Sequence, residues 1–294
     1  MALYTTLASL SQTAASNAAD GSVDAPSTID QQTNLLASFI AQLRDGNGFA
    51  TGLGNLGQCQ LVKSGSNLVL NPYGGNGLTI NGVVYKIPSA GVSLAPTSLS
   101  VGTTYNIYAY MNAGTMTLEA STTARAVDTT TGMPIKSGDA SRTLVGKARI
   151  ITGPAWADTD AQRFVISWFN RRPIRIYNIN TGTPATTSVT PVGLVANMEF
   201  LSWGDYYVPA SFVGSVANNT TNAVCYTALG IDGTTFAHSP VQYQSYGVST
   251  VGAACGGTTF APAEGYHYIT TLGQVSSGTG TWQANIEHSG VIQG

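Results

Sequence analysis

Apolar residues change their spacing twice along the chain. Residues 1–26 are small and polar, and the stretch TAASNAADGSVDAP offers nothing a core could use. That composition predicts an extended arm, ordered only against a partner. Ser27 or Thr28 can then cap a helix behind Pro26, with Asp30 in the first turn. Ile29, Leu36, Phe39, Ile40 and Leu43 follow near helical spacing. The pattern predicts a single long helix over 28–45, stopped at Gly46, and a glycine-rich joint up to residue 58.

From Phe49 onward the period shortens. QLVKSGSNLVLNPYGGNGLTINGVVYKIP alternates or strings together β-branched residues between Gly, Pro and Asn, which is the pattern of strands and hairpins. Asn81-Gly82 predicts a two-residue type I′ turn, because both central residues must accept positive φ. TTYNIYAYMNAGTMTLEAST predicts two more strands around Asn112-Ala113-Gly114. DTTTGMPIKSGDAS is expected to be a long loop before a strand RTLVGKARI. FVISWFN predicts a buried strand whose apolar residues face both ways. Pro173 is the expected boundary to a second β segment with strands in ATTSVTPV, MEFLSW, YYVPASFVGSV, AVCYTALGI and YHYITTLGQV. The expected organisation is therefore mainly β. It comprises an arm (1–26), an attachment or oligomerisation helix and joint (27–58), and two β-sandwich or jelly-roll-like domains (59–172 and 173–294).

Charge changes this picture by its scarcity. Only 9% of residues are Asp, Glu, Lys or Arg, and the formal net charge is −2. Solubility must rest on hydroxyls, amides and backbone, since 34 glycines and many Thr and Ser accompany the apolar positions. The one basic cluster, Arg171, Arg172 and Arg175, is too short an electrostatic footprint for a nucleic-acid backbone. No apolar run approaches the ~18 residues of a membrane span, and no secretory signal pattern opens the chain. Cys59, Cys225 and Cys255 are odd in number and far apart, which suits neither a disulfide framework nor a metal knuckle and fits assembly in a reducing cytoplasm.

Several residue groups suggest chemistry. Gly52, Gly54 and Gly57 spell GxGxxG, but a dinucleotide site needs a strand before and a helix after, and here the order is reversed. Glu264 and His267, with His238 and His288, could be imagined as metal ligands, yet i and i+3 on a strand point to opposite faces. Asp158 and Asp160 with Asp205 or Glu199 could pair for glycoside cleavage, although acids in Gly- and Thr-rich surroundings ordinarily build turns. Trp203, Asp205, Tyr206 and Tyr207 join aromatic faces to a short acceptor, a combination suited to contact with a glycan. None of these patterns calls for a cofactor, a metal or catalysis.

Three stretches carry a resemblance. LSQTAASNAADGSVDAPSTIDQQTNLLASFIAQLRDGNGF resembles the opening of many tailed-bacteriophage and prophage fibre proteins. GMPIKSGDASRTLVGKARI with SWFNRR looks like the same family, as do FLSWGDYY, IDGTTF and EGYHYITTLGQVSSGTGTW. The resemblance implies an elongated homotrimer in the virion, made in the host bacterial cytoplasm and attached by its N-terminal part to tail, connector or capsid. The outer end would face host glycan. The chain departs from long tail fibres in lacking a triple β-helix or extended coiled coil, so a head fibre, capsid decoration or fibre adaptor stays open beside a tail fibre. Independently, the apolar stripe Ile29, Leu36, Phe39, Ile40 and Leu43 has no local sheet to cover it and is expected to bury itself against copies or a neighbouring virion protein.

Overall fold

The computed structural model describes residues 33, 34, 36 and 57–294. Thr33, Asn34 and Leu36 are helical, and Leu36 is exposed. The other members of the predicted apolar stripe, and the arm, lie outside the described residues.

From Cys59 onward strands dominate, in agreement with the mainly β expectation. Cys59–Ser64, Asn67–Pro72 and Val92–Leu94 form one antiparallel sheet. A second sheet orders Thr115–Ser121, Thr104–Asn112, Asp139–Ile151, Pro134–Lys136 and Arg125–Val127, with Val165–Ser167 also pairing Asp139–Ile151. Leu61, Leu68, Leu70, Leu78, Ile107, Val145 and Trp156 fill the space between them. Asn81 and Gly82 both adopt positive φ (51° and 76°) between paired Ile80 and Val83, the geometry a type I′ hairpin requires. Ala113 and Gly114 do the same at the next hairpin. The expected loop at 128–141 is shorter than anticipated. Pro134–Lys136 pairs with Arg125–Val127, and the following strand already starts at Asp139. Local sequence hid this because Pro134 reads as a breaker, but on a short strand its missing N–H costs little.

Val165 packs into the first core while Phe164 and Ile166 pack into the second, so FVISWFN does face both ways. The second core lies between two further sheets. One orders Gln162–Arg163, Met198–Trp203, Glu264–Val275, Val224–Ile231 and Val241–Gln244. The other orders Pro173–Asn180, Ile286–Gln293, Val208–Asn218, Gly280–Trp282 and Ala185–Thr186, with Val251–Phe260 along the other side of Val208–Asn218. Ile176, Phe200, Phe212, Leu229, Ile269, Trp282 and Ile292 fill this sandwich. The Trp282 indole N–H donates to Thr227 Oγ1 at 2.9 Å, so the largest core side chain leaves no unpaired donor.

Three strands of eight residues or more in this sandwich go beyond the sequence expectation: PIRIYNIN, VGAACGGTTF and IEHSGVIQ. The second is rich in Gly and Ala, whose intrinsic strand preference is weak, and in the third Glu287, His288, Ser289 and Gly290 interrupt the apolar residues. Ladder pairing with neighbours holds them. ATTSVTPV, expected as one strand, contributes only the short pieces Ala185–Thr186 and Val192–Gly193.

His288 lies in this core, fully buried, with Thr271 Oγ1 3.1 Å from its Nδ1. Burial pushes its pKa from the ordinary 6.5 down to about 4, outweighing the Ala196 backbone, which favours the protonated ring. The unfolded chain therefore binds a proton here that the folded chain does not, between about pH 6.5 and 4. Stability should fall by about 3 kcal/mol as pH drops through that window. Urea melts from pH 7 to 4 are expected to show this slope in the parent and a flatter one in His288→Gln.

Candidate functional site

The two β units meet at a compact cluster of rings and charges. Trp168 and Trp203 stand edge to face, 4.9 Å between centroids at 88°. Lys147 Nζ lies 4.7 Å from the Trp203 ring, and the Arg171 guanidinium lies 4.6 Å from Trp168 and 5.3 Å from Trp203. Arg125 covers Trp168 from 4.8 Å. Glu264 accepts from Lys147 at 2.6 Å and from Arg125 at 3.1 Å. Asp205 accepts from Arg171 through both carboxylate oxygens. The Trp203 indole N–H donates to the Ser167 carbonyl at 3.1 Å. Arg125, Lys147, Trp168 and Arg171 precede Pro173 in the chain, and Trp203, Asp205 and Glu264 follow it.

The local reason is register. Trp203 pairs directly with Glu264 across their sheet, and Lys147 pairs with Ile166 near the middle of the long Asp139–Ile151 strand. Lys147 is only 5% exposed. Burial lowers its pKa, and the Glu264 carboxylate opposes that shift. Burial likewise acts to raise the Glu264 carboxyl, but Lys147 and then Arg125 outweigh it, holding it below the ordinary carboxylate value.

Each site residue expected from 57 onward has a definite place. Trp203, named as a glycan contact, is 2% exposed, and the cations of the seam lie over its ring, so it serves packing instead of ligand stacking. Asp205 is held by Arg171, and Tyr206 is half-buried. Of the aromatics in that group Tyr207 is the one whose side chain stands in solvent, 73% exposed. Glu264 and His267 engage different partners, the seam cations and Asp232 respectively. His238 accepts the Leu229 N–H, and His288 is buried in the core. Among the described residues no three His, Cys, Asp or Glu side chains are grouped to hold a metal ion. Gly57 of the GxGxxG run bridges to Leu78, and a strand follows it at Cys59.

The carboxylates share one feature. Every Asp and Glu between 57 and 294 is engaged in the fold. Glu119 binds Lys136 and Arg142, and Asp139 caps its own turn through Ser141. Asp128 accepts from Thr130 and Thr131. Asp158 and Asp160 flank Arg163, Glu199 holds Gln162 and Tyr266, Asp232 holds His267, and Glu287 holds Arg175. The carboxylates singled out for glycoside cleavage are thus among those tied to structural partners. Cys59 and Cys225 are buried thiols, the former pushed up to about 12 by burial, and Cys255 is exposed.

A second feature escaped the sequence reading because its central strand did. Among the described residues nothing covers the outer face of the Pro173–Asn180, Ile286–Gln293, Val208–Asn218 and Val251–Phe260 sheet. Cross-strand rows run Ile179, Glu287, Val213, Cys255 and Tyr177, Ser289, Ser211, Gly257. Val213 is 53% and Val251 55% exposed. Arg175, Pro209, Ser211, Ser289 and Val291 line a shallow depression of about 320 Å³ on it.

No protein-family model matches the chain, and no curated protein has a matching sequence. Solved structures that align with it include that of the infectious bursal disease virus Gx strain, at 10% identity, TM-score 0.30, over 84% of this chain and 70% of that one. T=1 particles derived from infectious bursal virus align at 13% identity, TM-score 0.31, over 87% and 75%. The insecticidal delta-endotoxin Cry8Ea1 of Bacillus thuringiensis aligns at 10% identity, TM-score 0.23, over 81% of this chain and 51% of that one. At these scores the likeness is too loose to transfer a topology or a function.

The seam generates a test. Glu264→Gln strands a buried ammonium and should cost about 2 kcal/mol. This is below the ~3–5 of a fully buried pair because the carboxylate is partly exposed. Lys147→Met with Glu264→Gln should recover most of that loss in urea melts, since with the ammonium gone no buried charge is left unpaired.

Proposed function

We propose that this chain is a non-enzymatic structural subunit of a tailed-bacteriophage virion, a homotrimeric fibre or spike component anchored through its N-terminal segment, as a tail fibre or fibre adaptor. The observation that carries this reading is a convergence. The segments resembling phage fibre proteins, GKARI, SWFNRR, FLSWGDYY and EGYHY, supply Lys147, Trp168, Arg171, Trp203, Asp205 and Glu264. Those side chains meet at the seam that joins the β units. What resembles the family is thus the joint of a two-unit β stack, which is an architectural part. The engagement of every carboxylate between 57 and 294 supports a building role over general acid–base catalysis, which needs a titratable group free to reach a substrate.

A second reading, capsid decoration or head fibre, is favoured by one observation. All strands from Cys59 to Gln293 pair within the chain into sheets of two to seven strands, with no fibrous stretch. A glycan-binding role retains Tyr207 as its exposed aromatic. Among the described residues no helix is long and apolar enough to cross a membrane.

Immunogold labelling of intact particles tests the reading and separates its two forms. Label on the tail supports the fibre, label on the head the decoration, and particles without label overturn both. Light scattering of the purified chain should give three times the 30.4 kDa chain mass. Release of reducing ends from host polysaccharide would contradict the structural role.

A further inference from the structure

We infer that this outer sheet face, uncovered among the described residues, and the edge of Val251–Phe260 are the surface through which one copy of this chain associates with the next. The inference rests on the oligomeric reading above and names the surface that would carry it.

The edge is the first argument. Val251–Phe260 pairs with Val208–Asn218 over ten unbroken register steps, and on its other side it has no ladder partner among the described residues. Proteins blunt such edges with charge, proline, bulges or brevity. The sandwich's other outer strands use those devices: Pro173–Asn180 carries Pro173 and Arg175, while Val241–Gln244, Gln162–Arg163 and Ala185–Thr186 are short. VGAACGGTTF has none of them. An uncharged strand of this length can extend its ladder with a strand from another molecule.

The face is the second argument. A solvated antiparallel sheet ordinarily shows charged and long polar side chains outward. Here the outward positions are Pro209, Ser211, Val213, Ala253, Cys255 and Thr259, with Val291 beside them. The charges on the face, Arg175 and Glu287, are 3.2 Å apart and neutralise each other, so two copies meet without repulsion. On the opposite sheet Thr270 and Leu272 are buried, and Thr270 Oγ1 donates to the Val195 carbonyl.

Area decides between a stray patch and an interface. Four strands of eight to eleven residues at ~3.3 Å per residue and ~4.8 Å spacing span on the order of 600 Å². The loop before Val251 adds Tyr246 and Val248, 78% and 69% exposed. That sum approaches the ~800 Å² per partner of a stable interface. A neutral, nearly uncharged surface of this size fits another copy of itself better than an acidic or basic partner.

The full-length chain should be tested by sedimentation over a wide concentration range, with amide exchange read on residues 251–260. Association with protection of those amides at high concentration is expected. Val251→Lys with Cys255→Lys should weaken association about tenfold or more while the melting curve of the diluted chain is kept. A Leu36→Glu, Phe39→Glu variant provides the contrast. If it abolishes assembly while the lysine pair leaves assembly and exchange unchanged, the inference is overturned and the virion reading stands. A parent chain that stays monomeric at all concentrations overturns both. Should the lysine pair fail to fold, unprotected 251–260 amides in the associated parent still refute the inference.

Discussion

The ammonium of Lys147 can be buried only because Glu264 reaches it from the other half of the chain. In a protein with so few charges, placing a cation at 5% exposure is costly unless a carboxylate and aromatic faces replace its water. Trp203 and Glu264 do this from directly paired positions on neighbouring strands. The arrangement ties the register of the second sandwich to that of the Asp139–Ile151 strand. A slip of one residue would turn both partners to the wrong face. The two β units are thereby held in a defined relation by charge pairing, while their two cores supply the apolar burial.

This use of charge divides the second sandwich into unlike ends. Asp205, Asp232, Glu264 and His267 lie at or beside the ends of strands near the seam. The remote loops at 181–191, 219–223, 245–250 and 276–279 contain no Asp, Glu, Lys, Arg or His. Their contacts are hydroxyl and amide bonds such as Asn219 to Thr279 and Ser249 to Asn218. One end is electrostatically committed within the chain. The other end and the bare sheet face are neutral and rich in small residues, so approaching another surface requires little desolvation of ions. A subunit that joins its neighbours without repelling them benefits from that distribution.

Much of the architecture was legible in local pattern. The Asn81-Gly82 turn, the two-faced FVISWFN strand and the strands MEFLSW and AVCYTALGI follow from residue period and turn chemistry, which act over a few residues. VGAACGGTTF was not legible because its small residues carry little intrinsic strand preference, and IEHSGVIQ because Glu287, His288, Ser289 and Gly290 break its apolar run; both pair with Val208–Asn218. The glycan candidate shows the same limit at the level of a site. WGDYY reads as an exposed aromatic group, yet Trp203 is enclosed by Lys147 and Arg171 from more than thirty residues away, and of its aromatics only Tyr207 stays in solvent.

By itself the sequence determined that the chain is mainly β and poor in charge, with its hairpins at Asn-Gly and Ala-Gly, since propensity, turn geometry and composition are local properties. Tertiary structure alone decided that Trp203 is a packing residue, that Lys147 and Glu264 form one pair, and that a glycine-rich strand has an edge unpaired among the described residues. Those outcomes depend on which distant strands become neighbours, and sequence spacing carries no record of that choice.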